Sequence, residues 1–329
     1  VADVRVHPEV EAALDANRAV VALESAVITA GLPRTPVQEA ATLRISGWRE
    51  DQPCNLELAR AMQRAVREHG AVPATIAVMD GSLRIGLDEA DLVRLAADPQ
   101  AKKASITNLA SCITSGTNAG TTVSATLAGC KLSATSLRVF ATGGIGGVHR
   151  GWATHLDLSA DLHALANSPV AVVCSGAKSI LDLPATLEYL EALGIPIVGY
   201  RTTAFPQFQC LGDNTLKLSQ CVDDVAALAT VCRTHWNTLR QTSSVIAANP
   251  VPQQHAMNLI ELDRAVQSAE DLAQQRGISG AARTPFLLQH IAEATAFRSL
   301  IANVALLLNN AALAGSLAVE LSRTAQPHG

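Results

Sequence analysis

Reactive side chains in this sequence stand where apolar runs end. Val20-Val21-Ala22-Leu23 is followed by Glu24, Val139-Phe140-Ala141 by Thr142 and Gly143-Gly144-Ile145-Gly146-Gly147, Val172-Val173-Cys174 by Ser175-Gly176-Ala177-Lys178, and Val245-Ile246-Ala247-Ala248 by Asn249. A carboxylate, a lysine, an amide and a glycine loop sharing one cleft would supply a proton donor, an amine nucleophile and room for a phosphate. Lys178 follows a buried run in a glycine-containing turn, where desolvation would lower its pKa and free the neutral amine for Schiff-base chemistry. The plainer reading is an ammonium that reaches solvent or pairs with Asp182. Glu24 is a general acid if it meets Lys178, and otherwise a strand-end carboxylate accepting helix N–H groups.

The glycine loop is a poor dinucleotide fingerprint, because His149 stands where the third small residue belongs, and it has no P-loop lysine–hydroxyl pair. Two readings stand: backbone N–H groups wrapping an anion, which neighbouring His149 and Arg150 favour, or a tight connection needing positive φ. Asp157, Ser159 and Asp161 offer oxygens at alternate positions. That suits a hard divalent cation such as Mg²⁺ or Mn²⁺ that keeps several waters, and helix capping is the competing use. His155, His163, His235 and His255 lack ligand spacing and read as surface or satisfied core histidines. Seven cysteines without a C-x-x-C pair argue against a zinc site or a disulfide framework and fit a reducing cytoplasm.

The elements that must hold these groups follow from the apolar pattern. Strands are expected at 19–23, 74–79, 137–141, 170–174, 195–199 and 245–248, several of them continuously apolar, as strands covered on both faces are. Helices are expected at 56–68, 89–96, 121–128, 160–166, 185–192 and 222–238. This alternation is an α/β layer fold, and Asp80-Gly81 between apolar runs predicts a hairpin, hence a mixed sheet. From Met257 onward only helical periodicity appears, with Pro285 expected at the first helical position after Thr284. Residues 34–51 are polar and turn-rich and read as an inserted excursion in a single domain spanning 1–329.

The 329 residues carry 25 Lys and Arg against 29 Asp and Glu, and only 16% of them are charged, which excludes a basic nucleic-acid platform. Five of the cations are lysines, namely Lys102, Lys103, Lys131, Lys178 and Lys217. The first 18 residues lack the apolar core of a signal peptide, although a first residue other than Met leaves room for a removed leader. The stretch 304–319 is interrupted by Asn309-Asn310 and is expected to fall short of a membrane span. A soluble protein with no membrane and no nucleic-acid partner is expected.

Longer blocks carry a family resemblance. Val21-Ala22-Leu23-Glu24-Ser25, Val72-Pro73-Ala74-Thr75-Ile76-Ala77, the block from Phe140 through Gly151, the block from Val173 through Asp182, Ala248-Asn249-Pro250-Val251-Pro252 and Thr284-Pro285-Phe286-Leu287-Leu288 closely resemble the pseudouridine-5'-phosphate glycosidases, also called the indigoidine synthase A-like family. The similarity runs from about residue 10 to 321. It implies a three-layer α/β/α fold with a mixed, mainly parallel sheet, a homotrimer, bound Mn²⁺, and reversible cleavage of pseudouridine 5'-phosphate to uracil and ribose 5-phosphate. By matching positions, Lys178 would form the Schiff base, Glu24 would donate a proton to open the ribose ring, Lys103 would assist at the substrate, and Asp157 would carry the metal. Val123, Ser159 and Asp161 match substrate-contact positions, Asn303 matches an active-site asparagine, and Thr142 with His149 would lie along the phosphate and sugar. The implied chemistry agrees with the reactive groups, because a C–C glycosidic bond has no heteroatom leaving group and simple two-carboxylate catalysis fails on it.

The chain departs from the family pattern near the expected site mouth. Lys103-Ala104-Ser105-Ile106-Thr107-Asn108 stands where the family reads K-x-S-R-R-D, Ala30 replaces a histidine, and Trp152-Ala153-Thr154-His155-Leu156 replaces A-E-H-T-F. The base or aglycone is therefore the open part of the substrate. Two further readings remain: a C-glycosynthase-like member joining ribose 5-phosphate to another acceptor, and a catalytically silent phosphate- or nucleotide-binding protein.

Overall fold

The computed structural model describes residues 3–132, 137–152, 156–278 and 283–323. His155 and the rest of 153–155 lie outside the described residues, so the departure noted there has no structural account.

Eleven strands form one sheet: β1 (Asp3–Val6), β2 (Val20–Leu23), β3 (Val72–Met79), β4 (Ser82–Ile85), β5 (Lys102–Ala104), β6 (Ala119–Thr121), β7 (Val139–Ala141), β8 (Ala171–Cys174), β9 (Ile197–Tyr200), β10 (Cys221–Val222) and β11 (Val245–Ala248). The order is β1-β4-β3-β2-β7-β8-β11-β9-β10, with β6 pairing β3 and β5 pairing β6. Only β3–β4 and β3–β6 are antiparallel. The predicted hairpin forms, and Asp80 and Gly81 both take positive φ (51° and 73°), the geometry of a type I′ turn. Strands β2, β3, β8 and β11 are buried at every position, which explains their unbroken apolar runs.

The chain steps outward from β2 through β3 to β4 and later returns to β7 on the other side of β2. That places the topological switch point, where open α/β sheets bind ligands, between the ends of β2 and β7, where Glu24 and Thr142 lie.

The helices are α1 (Pro8–Asp15), α2 (Cys54–Glu68), α3 (Glu89–Ala97), α4 (Leu109–Thr114), α5 (Val123–Leu132), α6 (Ala160–Ala166), α7 (Leu183–Ala192), α8 (Val225–Arg233), α9 (Leu259–Gln275), α10 (Arg283–Ala294) and α11 (Arg298–Ser322). Helix α11 packs on β2, β7 and β8 between α2 and α8, whereas α5 and α6 pack together, α5 against β2 and β3. Helices therefore cover the sheet as separate layers, and the last third is helical. Pro285 is the third residue of α10 rather than the first. It is tolerated there because N–H groups of the first turn have no intrahelical acceptor.

Two expectations change. Helix α11 is 25 residues long and apolar enough to cross a membrane by length and composition, because Asn309 and Asn310 do not break it. Yet 72% of its most apolar window is buried inside the protein, as a core helix over a sheet. The 34–51 stretch is also not a detached excursion. Val37 and Ala40 are buried in the main core, Leu43, Ile45 and Trp48 pack against it, and the 3₁₀ turn Gln38–Leu43 touches α11.

Candidate active site

A cavity of about 450 Å³ opens at the switch point. Glu24 reaches it from the end of β2, Lys178 from the turn after β8, Lys103 from β5, His149, Asp157 and Ser159 from the segment between β7 and α6, and Asp161 from the first turn of α6. Asn303 enters from α11, and Arg283 with Thr284 from the start of α10.

Glu24 is only 9% exposed and accepts a hydrogen bond from Thr142 Oγ1. Burial pushes its pKa up, against the opposing pull of the Lys178 charge and the Thr142 bond. Lys103 is half-buried, and desolvation followed by the Lys178 charge pulls its pKa down, while Asp161 and Glu24 oppose the shift. Glu24, Lys103 and Lys178 thus act on one another electrostatically inside one cavity, and shifted titratable groups in a cleft mark a candidate functional site.

The turn carrying Lys178 is fixed by backbone bonds. Lys178 N–H donates to Ile145 O (3.1 Å), and Ile145 N–H donates to Gly176 O (3.0 Å), so the loops after β7 and β8 are stitched together. Gly176 takes φ +75° with its Cα against the Pro206 carbonyl, a place no side chain fits.

The glycine loop is held by its neighbours: the N–H groups of Ile145, Gly146 and Val148 are committed to Gly176 O, Asp161 Oδ2 (2.9 Å) and Thr186 Oγ1 (3.0 Å), while Gly143 and Gly144 line the cavity. None of its glycines takes positive φ, so the tight connection expected to need it does not form. They are required by close packing: a Cβ on Gly144 would lie 2.8 Å from Phe208, one on Gly146 2.6 Å from Asp161 Oδ2, and one on Gly147 2.5 Å from Thr186 Oγ1.

Asp161 is 5% exposed, and its two oxygens accept N–H groups from Ser124 (2.9 Å) and Gly146. It clamps the start of α5 to the glycine loop. Ser159 caps α6 by accepting from Asp161 N–H (3.2 Å). Of the alternating oxygens only those of the Asp157 carboxylate have no hydrogen-bond partner among the described residues; it is half exposed, with His149 Nδ1 3.9 Å away. Burial holds the His149 pKa below its usual value despite Asp157. Among the described residues no group of three His, Cys, Asp or Glu side chains forms a metal cluster. One carboxylate beside an imidazole is a donor set that fits a hard cation keeping most of its waters.

Three expected residues do not face the cavity. Val123 is 1% exposed in the core, and its neighbours Thr122 and Ser124 line the wall instead. Thr142 is fully buried behind Glu24, so its hydroxyl serves the carboxylate rather than a sugar or phosphate. Asn249 donates to Asn310 Oδ1 (2.9 Å), and Asn310 donates to Thr142 O (2.8 Å) and Ser175 Oγ (3.2 Å). This amide network ties β7, β8 and β11 to α11 beneath the cavity floor. Asn310 and Arg283 were not among the expected site residues. The signal for Asn310 was its position as an amide inside an apolar run.

Comparison with known proteins bears on the family and the fold. Residues 9–320 match the family model described as indigoidine synthase A like protein. Relatives named pseudouridine-5'-phosphate glycosidase include one from Caldanaerobacter subterraneus subsp. tengcongensis, 44% identical over 96% of this chain and 95% of its own. Another, from Methylobacterium nodulans, is 46% identical over 95% and 87%. Among solved structures, the prealnumycin C-glycosynthase AlnA in complex with ribulose 5-phosphate superposes with a TM-score of 0.81, 33% identity and 97% coverage of both chains. An indigoidine synthase A-like protein from Thermotoga maritima gives 0.82 and 31%, covering 98% of this chain and 97% of its own. With its full-length sequence match, shared α/β fold and near-complete coverage, the chain belongs to the indigoidine synthase A-like family.

Proposed function

We propose that this chain is a pseudouridine-5'-phosphate glycosidase, reversibly cleaving the C–C glycosidic bond of pseudouridine 5'-phosphate to give uracil and ribose 5-phosphate. The observation that carries the reading is the convergence of Glu24, Lys103 and Lys178 on one cavity, in a chain whose relatives bear that name.

The neutral Lys178 amine bonds to the anomeric carbon as the ring C–O bond breaks, and the ring oxygen takes the proton of Glu24. A carboxyl whose pKa burial has raised is suited to hold that proton. The new secondary ammonium passes a proton to Lys103, whose lowered pKa suits it to be neutral beforehand. The nitrogen lone pair then forms C=N as the C–C bond breaks, and the bonding pair goes to the base carbon, which takes the proton back from Lys103. Water adds to the imine and releases ribose 5-phosphate, and the Lys178 ammonium returns its proton to Glu24. One water is consumed and both acid–base groups are restored.

Asp157 is the residue that would hold Mn²⁺ or another divalent cation, which when bound supplies positive charge to orient substrate oxygens. Ser159, His149 and Asn303, all lining the cavity, are proposed to contact the substrate, with Asp161 holding the wall. A homotrimer is proposed too, supported by exposed apolar Ile106, Leu156 and Ile260. Light scattering should give three times the 34.3 kDa chain mass, and a monomer overturns the trimer. A cytoplasmic location is proposed on the cysteine usage alone.

The test is release of uracil from pseudouridine 5'-phosphate in the presence of Mn²⁺, with borohydride trapping of ribose 5-phosphate and peptide mass spectrometry. The sugar adduct is expected on Lys178. Lys178→Ala should lose the adduct and at least about 10³-fold in kcat, because the covalent route has no substitute nucleophile. An adduct elsewhere, or full activity in the variant, sinks the assignment. The likeness to AlnA favours C-glycosynthesis as the second reading. An adduct on Lys178 without uracil release would select it.

A further inference from the structure

A sugar phosphate needs an anion partner, and the groups assigned so far do not provide one. The loop N–H groups of Ile145, Gly146 and Val148 are committed within the protein. Lys103 and Lys178 share their electrostatics with Glu24, and the proposed mechanism uses both at the reacting carbon. Arg150, although near the glycine loop in sequence, spends its guanidinium on Asp263 (3.0 Å) and the Ser179 carbonyl (3.3 Å) and does not line the cavity.

Arg283 remains. It opens α10, lines the cavity beside Thr284, and is held by one corner: Nη2 donates to Glu270 Oε2 at 2.5 Å, with Glu270 only 11% exposed. Among the described residues its Nε–H is buried without a hydrogen-bond partner. A guanidinium has five donors in a fixed fork that matches phosphate oxygens, and it stays charged at any working pH. A buried orphan donor on a fixed cation is costly unless a ligand completes it. The carboxylate that orients Arg283 thus leaves its remaining donors for an incoming anion.

We infer that Arg283 is the phosphate anchor of this cavity and sets its preference for a phosphorylated over an unphosphorylated sugar. The inference rests on the reading that the substrate is a sugar phosphate. It does not depend on which base is cleaved, because ribose 5-phosphate alone probes it.

Calorimetric titration of the full chain, Arg283→Gln and Arg283→Lys with ribose 5-phosphate and with ribose tests it. Arg283→Gln should weaken ribose 5-phosphate binding by about 10–100-fold, the range for hydrogen bonds to a charged group. Arg283→Lys should lose less, keeping the charge but not the fork. The preference for ribose 5-phosphate over ribose should fall with each. Arg283→Gln leaves Glu270 unpaired and threatens folding, so Arg283→Gln/Glu270→Gln serves as the second variant with the same expected loss. Unchanged affinity in either, or equal loss for both sugars, overturns the anchor, as does a wild-type chain that does not bind ribose 5-phosphate. A wild-type chain that binds ribose 5-phosphate yet releases no uracil sinks the glycosidase reading and leaves the anchor standing.

Discussion

Glu24 shows how one hydrogen bond tunes a reactive group. Burial favours its protonated form, and the hydroxyl of Thr142 opposes burial by donating to the ionised carboxylate. Removing the hydroxyl in Thr142→Val should therefore raise the Glu24 pKa further. Glu24 must be protonated to donate, so activity is lost as pH rises through that pKa, and the alkaline limb of kcat/KM should move to higher pH. An unmoved limb would disconnect Thr142 from the acid. The sequence exposed Glu24 as the first polar residue after a buried run, and Lys178 as the cation in the glycine-containing turn after another. The family resemblance assigned Thr142 to the substrate, because matching positions show which residue stands at a strand end and not which neighbour its hydroxyl faces.

At the scale of elements, the glycine loop is fixed by what packs on it. Thr186 Oγ1 accepts Val148 N–H and donates to Asp182 O (2.7 Å), so α7 is pinned to the loop through the space a Gly147 side chain would fill. Gly147→Ala should destabilise the protein by about 1–3 kcal/mol, the usual cost of overpacking, read as a lower midpoint in urea unfolding. An unchanged midpoint would mean that the loop yields freely. Long buried strands and amphipathic helices were legible from their periods. Strands β5 and β6 were not, because Lys102-Lys103-Ala104 and Ala119-Gly120-Thr121 are too short and polar to show a period. They exist through pairing with each other and with β3. Lys103 reaches the cavity only because of that pairing.

Across the whole molecule, α11 joins the sheet to the site. Its apolar face covers β2, β7 and β8, while fully buried Asn310 satisfies the carbonyl of Thr142 and the amide of Asn249. Asn310→Ala strands those groups and should cost about 1–3 kcal/mol, measured by chemical denaturation. A variant as stable as the parent would show that the network reorganises.

The sequence by itself determined the α/β layering, the helical last third, the hairpin at Asp80-Gly81 and the reactive residues at strand ends, because periodicity, turn chemistry and burial are written in local order. Tertiary structure alone decided that Asp161 clamps the start of α5 to the glycine loop, that Thr142 turns to Glu24, and that close packing leaves no room for side chains on the glycines. It also brought Arg283 across from the C-terminal helices to the cavity. Those outcomes depend on which groups meet across 15 to 118 residues of chain, and no local pattern encodes the partner of a hydrogen bond.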